Sequence, residues 1–443
     1  MIKYRYKYVG LVGLILYVLL MIFLLISGIG SFDKNKEGAV SDKVTITFRH
    51  FWIQEYNVPV QRIIQDIVDE FEAEHPQYKI QFEEIDQAIH REQKLRSEMV
   101  TGTQPDLIVM FGGAEMEPYV RANRLLDLSD WLEEKQLQQR FKDLSLWTFD
   151  EGIYGLPFEG NAEPLFYNKV IFNQLKLKPP TTIDELFTAV EVLKENGYIP
   201  FALGNADGWQ SAIFSHYLMD SYAGPELFED ILEGQNDINS FSYKEAFNQL
   251  IKLGELGAFP NNVNQVSSED AIRMFTNGEA GMYLNGTWDI VMFQSEQVLS
   301  TFKYAVGVLP FPKKYTLDPH ISLAGGFTFG IGVSADLTEE EQEVALLFLE
   351  KVYSEQTQQR LLHEAYRLPS MDISYDEMLT GPIFTQVIEL IDRVQGANQR
   401  MFVPYDNMLS PDVNEVFLDI SSKLILGDIT AEQAIYLLNQ SLR

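Results

Sequence analysis

The chain lacks cysteine entirely, although it has 443 residues. Disulfides, thiol nucleophiles, zinc–cysteine sites and iron–sulfur clusters are therefore excluded, and so is a lipid anchor attached through cysteine. Histidine is also scarce, at six residues, so we do not expect a multi-histidine metal site. The composition predicts a protein without a metal or another cofactor.

Basic residues are few relative to acidic ones. The 34 Lys and Arg residues against 64 Asp and Glu residues leave a formal net charge of −30. Nucleic-acid binding needs clustered cations facing phosphates, and a surface this negative repels phosphates and anionic lipids. We therefore expect no nucleic-acid partner and favour a neutral or cationic solute. The length predicts two or three domains.

Charged residues are absent from one long segment near the N-terminus. Residues 1–8 are basic, and the uncharged stretch 9–29 is long enough to cross a bilayer as a helix. The positive-inside rule predicts a cytoplasmic start, a transmembrane anchor, a polar tether over residues 30–43, and a remainder on the outer face of the cytoplasmic membrane. The alternative is a cleavable signal sequence, which predicts secretion of the rest of the chain.

Beyond the tether, strand and helix patterns alternate. A β-branched strand pattern at 44–48 is followed by a helix stripe from Pro59 to Phe71, an alternating strand at 78–82 and a helix over 88–101. The apolar run 107–110 is typical of a strand buried on both faces by helices. These patterns predict an α/β fold.

Several motifs, in order along the chain, resemble the extracellular sugar-binding proteins of ABC importers, the maltose-binding-protein-like family 1. The motifs are TGTQPDL at 101–107, FGG at 111–113, LLDLS at 125–129, YGLP at 154–157, FYNKVIF at 166–172, PPTTIDEL at 179–186, IPFALG at 199–204, FTNGEAGMYLNGTW at 275–288, GVLPFP at 307–312, GG at 325–326 and GDITAEQA at 427–434. Each motif alone is weak, but their shared order is specific.

This resemblance implies a two-lobe α/β fold of the periplasmic-binding-protein type (type II), with a hinge and a ligand cleft between the lobes. Motif order predicts lobe one over 41–160 and 310–334, and lobe two over 161–309 and 335–443. The implied function is capture of a sugar or oligosaccharide and its delivery to ABC permease subunits, by a monomer. The alternative is a membrane-anchored co-receptor that presents a bound ligand to a sensor histidine kinase.

Ligands of open α/β folds bind beyond the carboxyl ends of the strands, which directs attention to residues 51–56 and 111–117. Sugars offer apolar faces and hydroxyl rims, so a site needs aromatic platforms, hydrogen-bonding side chains and glycines that permit close approach. The alternative for each aromatic is an ordinary place in the core. The predicted ligand-binding residues are Trp52, Gln54, Phe111, Gly112, Gly113, Glu159, Asn161, Trp209, Trp288, Asp289, Gly325, Gly326 and Phe327.

An enzyme is the competing class of function. The carboxylates of Glu159 and Glu163 are a candidate acid and base pair of a glycoside hydrolase. However, the sequence contains no HExxH helix and no GxSxG elbow. We therefore predict a binding protein without catalytic residues.

Overall fold

The computed structural model describes residues 43–295 and 298–442. Within these ranges, no helix combines the length and the apolar character that crossing a bilayer requires. The predicted basic segment 1–8 and apolar segment 9–29 lie outside the described residues, as does the predicted tether except for its last residue. The described chain from Val44 onwards forms one compact unit.

The regular elements of this unit alternate between strands and helices, as the sequence predicts. The strands are β1 Val44–His50, β2 Tyr78–Glu84, β3 Leu107–Phe111, β4 Thr148–Phe149, β5 Gly152–Ile153, β6 Gly155–Ala162, β7 Leu165–Asn168, β8 Ile199–Ala202, β9 Ala280–Leu284, β10 Val306–Leu309, β11 Gly325–Val333 and β12 Leu368–Pro369. The α-helices are Val58–Glu74, Leu95–Thr101, Glu117–Arg121, Ser129–Glu134, Lys169–Gln174, Ile183–Glu195, Gln210–Ala223, Glu226–Leu232, Phe241–Glu255, Ser268–Thr276, Ile290–Phe293, Phe302–Ala305, Glu339–Val352, Glu355–Ala365, Gly381–Gly396, Tyr405–Met408, Pro411–Leu426 and Ala431–Ser441. A π-helix spans Ile89–Lys94, and short 3-10 turns lie at Glu55–Asn57, Gly113–Glu115, Gln138–Arg140, Ser145–Trp147, Val263–Gln265, Thr287–Asp289 and Glu377–Leu379.

Lobe one is built on a sheet with the strand order β12-β6-β11-β3-β1-β2. β1 is parallel to β2 and β3, whereas β11 is antiparallel to β3 and β6. Alternate residues of β3 enter two cores: Leu107 and Val109 join one, and Ile108 and Met110 join the other. The prediction that this strand is buried on both faces is confirmed.

Lobe two is built on a smaller sheet with the strand order β10-β7-β9-β8. β8 and β9 are parallel, and the other neighbours are antiparallel. β9 again supplies two cores, because Met282 and Leu284 face one cluster while Ala280 and Tyr283 face the other. Each lobe therefore has helices on both faces of its sheet.

The chain passes between the lobes between β6 and β7, between β10 and β11, and between β12 and the helix Gly381–Gly396. The first two crossings are joined to each other. The backbone amide of Glu163 donates to the carbonyl of Ala324 (2.9 Å), and the buried Tyr217 hydroxyl accepts from the Ala324 amide (2.9 Å) and donates to the Glu163 carbonyl. The crossings therefore lie side by side and share one anchor in lobe two.

The predicted lobe boundaries differ from the structure after β11. Residues 335–443 were all assigned to lobe two, but the helices Glu339–Val352 and Glu355–Ala365 pack in the lobe one core. The Phe348 ring contacts the Phe48 ring of β1, with centroids 5.9 Å apart. An amphipathic stripe shows that a helix is half-buried but not which sheet it covers, so motif order alone misplaced these helices.

The predicted segment 310–334 is likewise divided between the lobes. Phe311 and Ala324 belong to a lobe two core, and the chain enters the lobe one sheet only at Gly325, where β11 begins. The first crossing strand also continues further than predicted, since β6 ends at Ala162.

Two of the motifs behind the family resemblance act in local structure. In PPTTIDEL, Thr182 and Glu185 form a capping box at the start of a helix, and in GDITAEQA, Thr430 and Gln433 form another. Each box satisfies amide groups that a helix N-terminus otherwise leaves unpaired. These motifs therefore specify helix starts and not ligand contacts.

Candidate ligand-binding cleft

The two lobes meet where the parallel strands of lobe one end. The turn Glu55–Asn57 follows β1 and contacts the lobe two turn Thr287–Asp289, while the turn Gly113–Glu115 follows β3 and contacts the lobe two helix Tyr405–Met408. The carboxyl ends of β1 and β3 lie at the same edge because these strands are parallel. The cleft therefore lies where the general rule for α/β folds places ligands.

Trp209 and Trp288 form an aromatic pair on the lobe two side of this cleft. Their ring centroids lie 6.1 Å apart with an interplanar angle of 57°, and both side chains are half-buried. Trp288 folds over Gly286, where a Cβ atom would overlap its indole ring. Glycine is thus required for this ring position. The arrangement offers partly exposed indole surface in a turn that faces lobe one.

Trp52, in contrast, is a core residue. It is 1% exposed, and its ring packs against His50 and Phe158 with centroids 5.0 Å from each. Its ring has no free face for a ligand, so the structure differs here from the predicted platform. Trp52 directly follows β1, and the sequence does not reveal that its ring turns back into lobe one.

Phe111 is half-buried at the end of β3 and already has aromatic and cationic neighbours. The Arg91 guanidinium lies 4.0 Å from its ring centroid, and Phe51 stacks nearly parallel to it at 6.1 Å. Arg91 also donates through Nε (2.9 Å) and Nη2 (2.5 Å) to the Glu115 carboxylate. Glu115, which lies in the segment 111–117 highlighted by the sequence, is therefore paired within lobe one. Phe111 as a residue nevertheless remains partly exposed.

The glycines after β3 allow close packing of backbone against protein. A Cβ at Gly112 would lie 2.8 Å from the Leu146 carbonyl oxygen. Gly113 has φ +68°, and a Cβ there would lie 3.3 Å from the carbonyl oxygen of Asn407 in lobe two. Both glycines thus shape the meeting of the lobes.

Asn161 lies on β6, the first crossing strand, and pairs with Gly326 of β11. Its Nδ2 donates to Thr328 Oγ1 (3.2 Å), and the residue is 9% exposed. Its Oδ1 accepts no hydrogen bond from any residue in the described ranges. Asn161 therefore presents a buried acceptor on the first crossing strand, and its contact with a ligand stays a prediction.

The β11 segment Gly325–Phe327 borders Asn161. Gly325 has φ +156°, and a Cβ there would collide with the Asn161 carbonyl oxygen. At Gly326 no atom lies within 4 Å of the Cβ position, so the space beside it is open. The half-buried Phe327 ring packs over Gly160, which has no Cβ to obstruct it. The segment combines an accessible backbone with an aromatic ring.

Glu159 is held by an arginine that the sequence analysis did not identify. Arg367 is 2% exposed, and its Nε lies 3.4 Å from Glu159 Oε2. Its Nη2 donates to the Tyr56 carbonyl oxygen (3.1 Å) and to Asn57 Oδ1 (2.8 Å). Burial raises the pKa of Glu159, and the positive charge of Arg367 partly opposes that rise. Arginine is seldom buried, and no local pattern marks this one.

Asp289 is engaged inside lobe two. It is 1% exposed, and its Oδ2 accepts a hydrogen bond of 2.6 Å from the Tyr283 hydroxyl. Burial raises the pKa of Asp289 to about 7, although the Tyr283 hydrogen bond and the charge of Arg367 lower it. Its side chain supports the turn that carries Trp288, so a supporting role fits better than the predicted direct contact.

Gln54 and Asp207 lie at the margin of the cleft. Gln54 is partly exposed just before the Glu55–Asn57 turn, and Asp207 is exposed in lobe two. Desolvation raises the pKa of Asp207, and the charges of Asp86 in lobe one and Glu269 in lobe two add to the effect. Acidic groups of both lobes therefore face each other there.

The carboxylates considered for catalysis have separate partners. Glu159 is paired with Arg367, whereas Glu163 Oε2 lies 3.1 Å from His216 Nε2, at an angle that does not form a hydrogen bond. Among the described residues, no group of three or more His, Asp and Glu side chains is placed to hold a metal ion.

The chain is similar to known binding proteins. Residues 57–359 match the family described as bacterial extracellular solute-binding protein. A multiple sugar-binding protein of Streptococcus mutans is 25% identical over 333 residues, covering 74% of this chain and 73% of that protein. An uncharacterized ABC transporter extracellular-binding protein of Pyrococcus horikoshii is 28% identical over 252 residues, which span only 56% of either protein.

A solved structure with the same architecture is named chitin oligosaccharide binding protein. It superimposes with a TM-score of 0.84 at 28% identity and covers 90% of this chain and 98% of that chain. The resemblance therefore extends over both lobes.

Proposed function

This chain belongs to the bacterial extracellular solute-binding proteins, in the sugar-binding, maltose-binding-protein-like group, and we propose that it captures an oligosaccharide between its lobes and delivers it to an ABC permease. Relatives of this chain are transporter binding proteins, which supports a binding protein without enzymatic activity. The co-receptor alternative has no support among these relatives.

The observation that carries this proposal is the Trp209–Trp288 pair opposite lobe one. Indole rings stack on the apolar faces of sugars, and aromatic platforms are a physical requirement of a sugar site. The buried free acceptor of Asn161 and the open backbone at Gly326 supply polar complements. A neutral ligand also suits a protein of net charge −30.

We further propose a revised set of ligand contacts, which omits the buried Trp52 and Asp289 and the packed glycines. The set is Gln54, Phe111, Asn161, Trp209, Trp288, Gly326 and Phe327, with Glu159 at its base. The three crossings would act as the hinge, because only these segments connect the two sheets within the described chain.

The N-terminal segment 9–29 is proposed to hold a monomer at the outer face of the cytoplasmic membrane. The family is extracellular, and the segment is uncharged and long enough to span a bilayer. Cleavage of the segment would instead release the protein, and the N-terminal sequence of the exported form distinguishes the two.

Titration calorimetry against gluco-, galacto-, xylo- and chito-oligosaccharides tests the proposed function. We expect saturable one-to-one binding of at least one oligosaccharide. After the titration, this sugar should be recovered chemically intact from the calorimeter cell. Folded protein that gives no heat with any of these sugars would contradict the proposal. Recovery of cleaved sugar would contradict the non-enzymatic assignment.

A further inference from the structure

Arg367 occupies an unusual position between the lobes. It follows the helix Glu355–Ala365 and directly precedes β12, the lobe one strand after which the third crossing begins. The preceding residue, Tyr366, has a left-handed backbone (φ +54°), which is uncommon for a tyrosine. An arginine that is 2% exposed needs partners for its charge and its donors.

The partners of Arg367 lie in the part of lobe one that faces lobe two. Nη2 binds the Tyr56 carbonyl and the Asn57 side chain, so the guanidinium holds the Glu55–Asn57 turn. Asn57 occupies the N-cap position of the next helix, but its side chain makes no cap hydrogen bond, because its oxygen binds Arg367 instead. The turn is thus attached to the segment that leads through β12 into the third crossing.

The same turn contacts the lobe two turn Thr287–Asp289, which carries Trp288. Two buried carboxylates are linked to this contact: Asp289 belongs to the lobe two turn itself, and Glu159 of β6 is paired with Arg367, which holds the lobe one turn. Arg367 is electrostatically favourable to both of them. Its Nη1 makes no hydrogen bond with any residue that the structure describes.

We infer that Arg367 is a positioning residue that couples lobe closure to charge, by holding the Glu55–Asn57 turn against lobe two and by bringing its charge, already paired with Glu159 inside lobe one, to the buried Asp289 when the lobes meet. The inference rests on the proposed capture of a solute by closing lobes. It concerns the closing step itself and is independent of which sugar is bound.

Other ionisable groups border the same contact and enter the expected pH dependence. They are Tyr56 of lobe one, Tyr283, Glu269 and Asp207 of lobe two, and Asp86, which faces Asp207. All of them are acids, and Arg367 is the cation that acts on Tyr56, Glu159 and Asp289 alike. Without it, closure would bring buried acidic groups together with no compensating charge.

The test is a measurement of the interlobe distance in the ligand-free, full-length protein in detergent micelles. Because the chain has no cysteine, nitroxide labels attach specifically to Glu133→Cys in lobe one and Glu195→Cys in lobe two, both exposed positions. Distance distributions are recorded from about pH 5.5 to about pH 8.5, a range that brackets the raised pKa of Asp289, about 7. The variants are Arg367→Gln and the matched control Arg360→Gln.

Arg360 is a suitable control because its partners, Asp66 (2.6 Å) and Glu364 (2.8 Å), both lie on lobe one helices. In Arg367→Gln the ratio of closed to open protein should fall as pH rises, because the buried carboxylate ionises without a compensating charge. The fall should be about tenfold larger than in the parent, which corresponds to a change of about one in the pKa of that carboxylate. Arg360→Gln should follow the parent. Arg367→Lys should restore the pH profile of the parent in part, because lysine keeps the positive charge but not the hydrogen bonds of the guanidinium to Tyr56 and Asn57.

Parallel pH profiles of Arg367→Gln and Arg360→Gln would overturn the inference. If Arg367→Gln does not fold, Asn57→Ala decides instead, because it removes the 2.8 Å hydrogen bond by which Arg367 holds the turn: a lower closed-to-open ratio than in Arg360→Gln supports the coupling, and an equal ratio refutes it. Calorimetry with the oligosaccharides tests the proposed function separately. Sugar binding can be absent while the interlobe distance still depends on pH, and sugar can bind while the distance does not depend on pH.

Discussion

Trp288→Ala should weaken oligosaccharide binding strongly while leaving the fold nearly intact. The indole is half-buried, lies in the turn Thr287–Asp289 and contacts Trp209 at 6.1 Å. Trp288 is in none of the hydrophobic clusters of the described residues, and the turn that carries it contacts lobe one. Truncation therefore removes contact area from the complex more than from the free protein.

The size of the effect follows from the ring. An aromatic side chain buries about 150–250 Å² in full, so the partly buried indole has roughly 60 Å² left to cover with a sugar. At about 25 cal/mol per Å² this area contributes about 1.5 kcal/mol, and the aromatic contact itself adds about 1 kcal/mol. The total of about 2.5 kcal/mol predicts that the dissociation constant rises by a factor of roughly 70.

The assay pairs titration calorimetry with a thermal melt of the same preparation. Trp131→Ala is the matched control, since Trp131 is a partly buried tryptophan in lobe one on the helix Ser129–Glu134, packed beside the core of that lobe. It should lower the melting temperature without changing affinity. Equal dissociation constants for Trp288→Ala and the parent would refute the stacking argument and return Trp288 to a packing role.

Further predictions concern packing, pH and the N-terminus. Trp52→Ala should cost about 3–5 kcal/mol of unfolding free energy through the cavity it leaves, with little change in sugar affinity, and denaturant unfolding with calorimetry checks both. Gly286→Ala should displace the Trp288 ring and weaken binding almost as much as its truncation, whereas unchanged affinity would mean that the ring position is unimportant. The pKa of Asp289 is raised to about 7 in the folded protein, so the stability contributed by its protonated form is present at low pH and is lost as pH rises to about 7. The melting temperature of Asp289→Asn should therefore increase relative to that of the parent as pH rises across that interval. Removal of residues 1–42 should give a protein that stays in solution as a monomer without detergent, as measured by light scattering. Precipitation of this protein would show that it exposes a further apolar surface.

Local patterns in the sequence were sufficient for the elements and for the family. The strand at 107–110 is a continuous apolar run because helices cover both faces of β3, and that cause acts on neighbouring residues alone. The capping box of Thr182 and Glu185 is likewise complete within four residues. The sequence also singled out Asn161 and Gly326, which pair across the two crossing strands β6 and β11, and their contact with a ligand stays a prediction.

Tertiary structure decided what depends on distant partners. Whether a tryptophan near glycines is a platform or a core residue depends on the side chains that cover it, and Trp52 is covered by Phe158, which is over one hundred residues away in the chain. The helix Glu339–Val352 could cover either sheet, and only packing assigned it to lobe one. Arg367 has no local signature, because its buried charge is tolerated only where the chain brings Glu159 and the Tyr56 carbonyl to it.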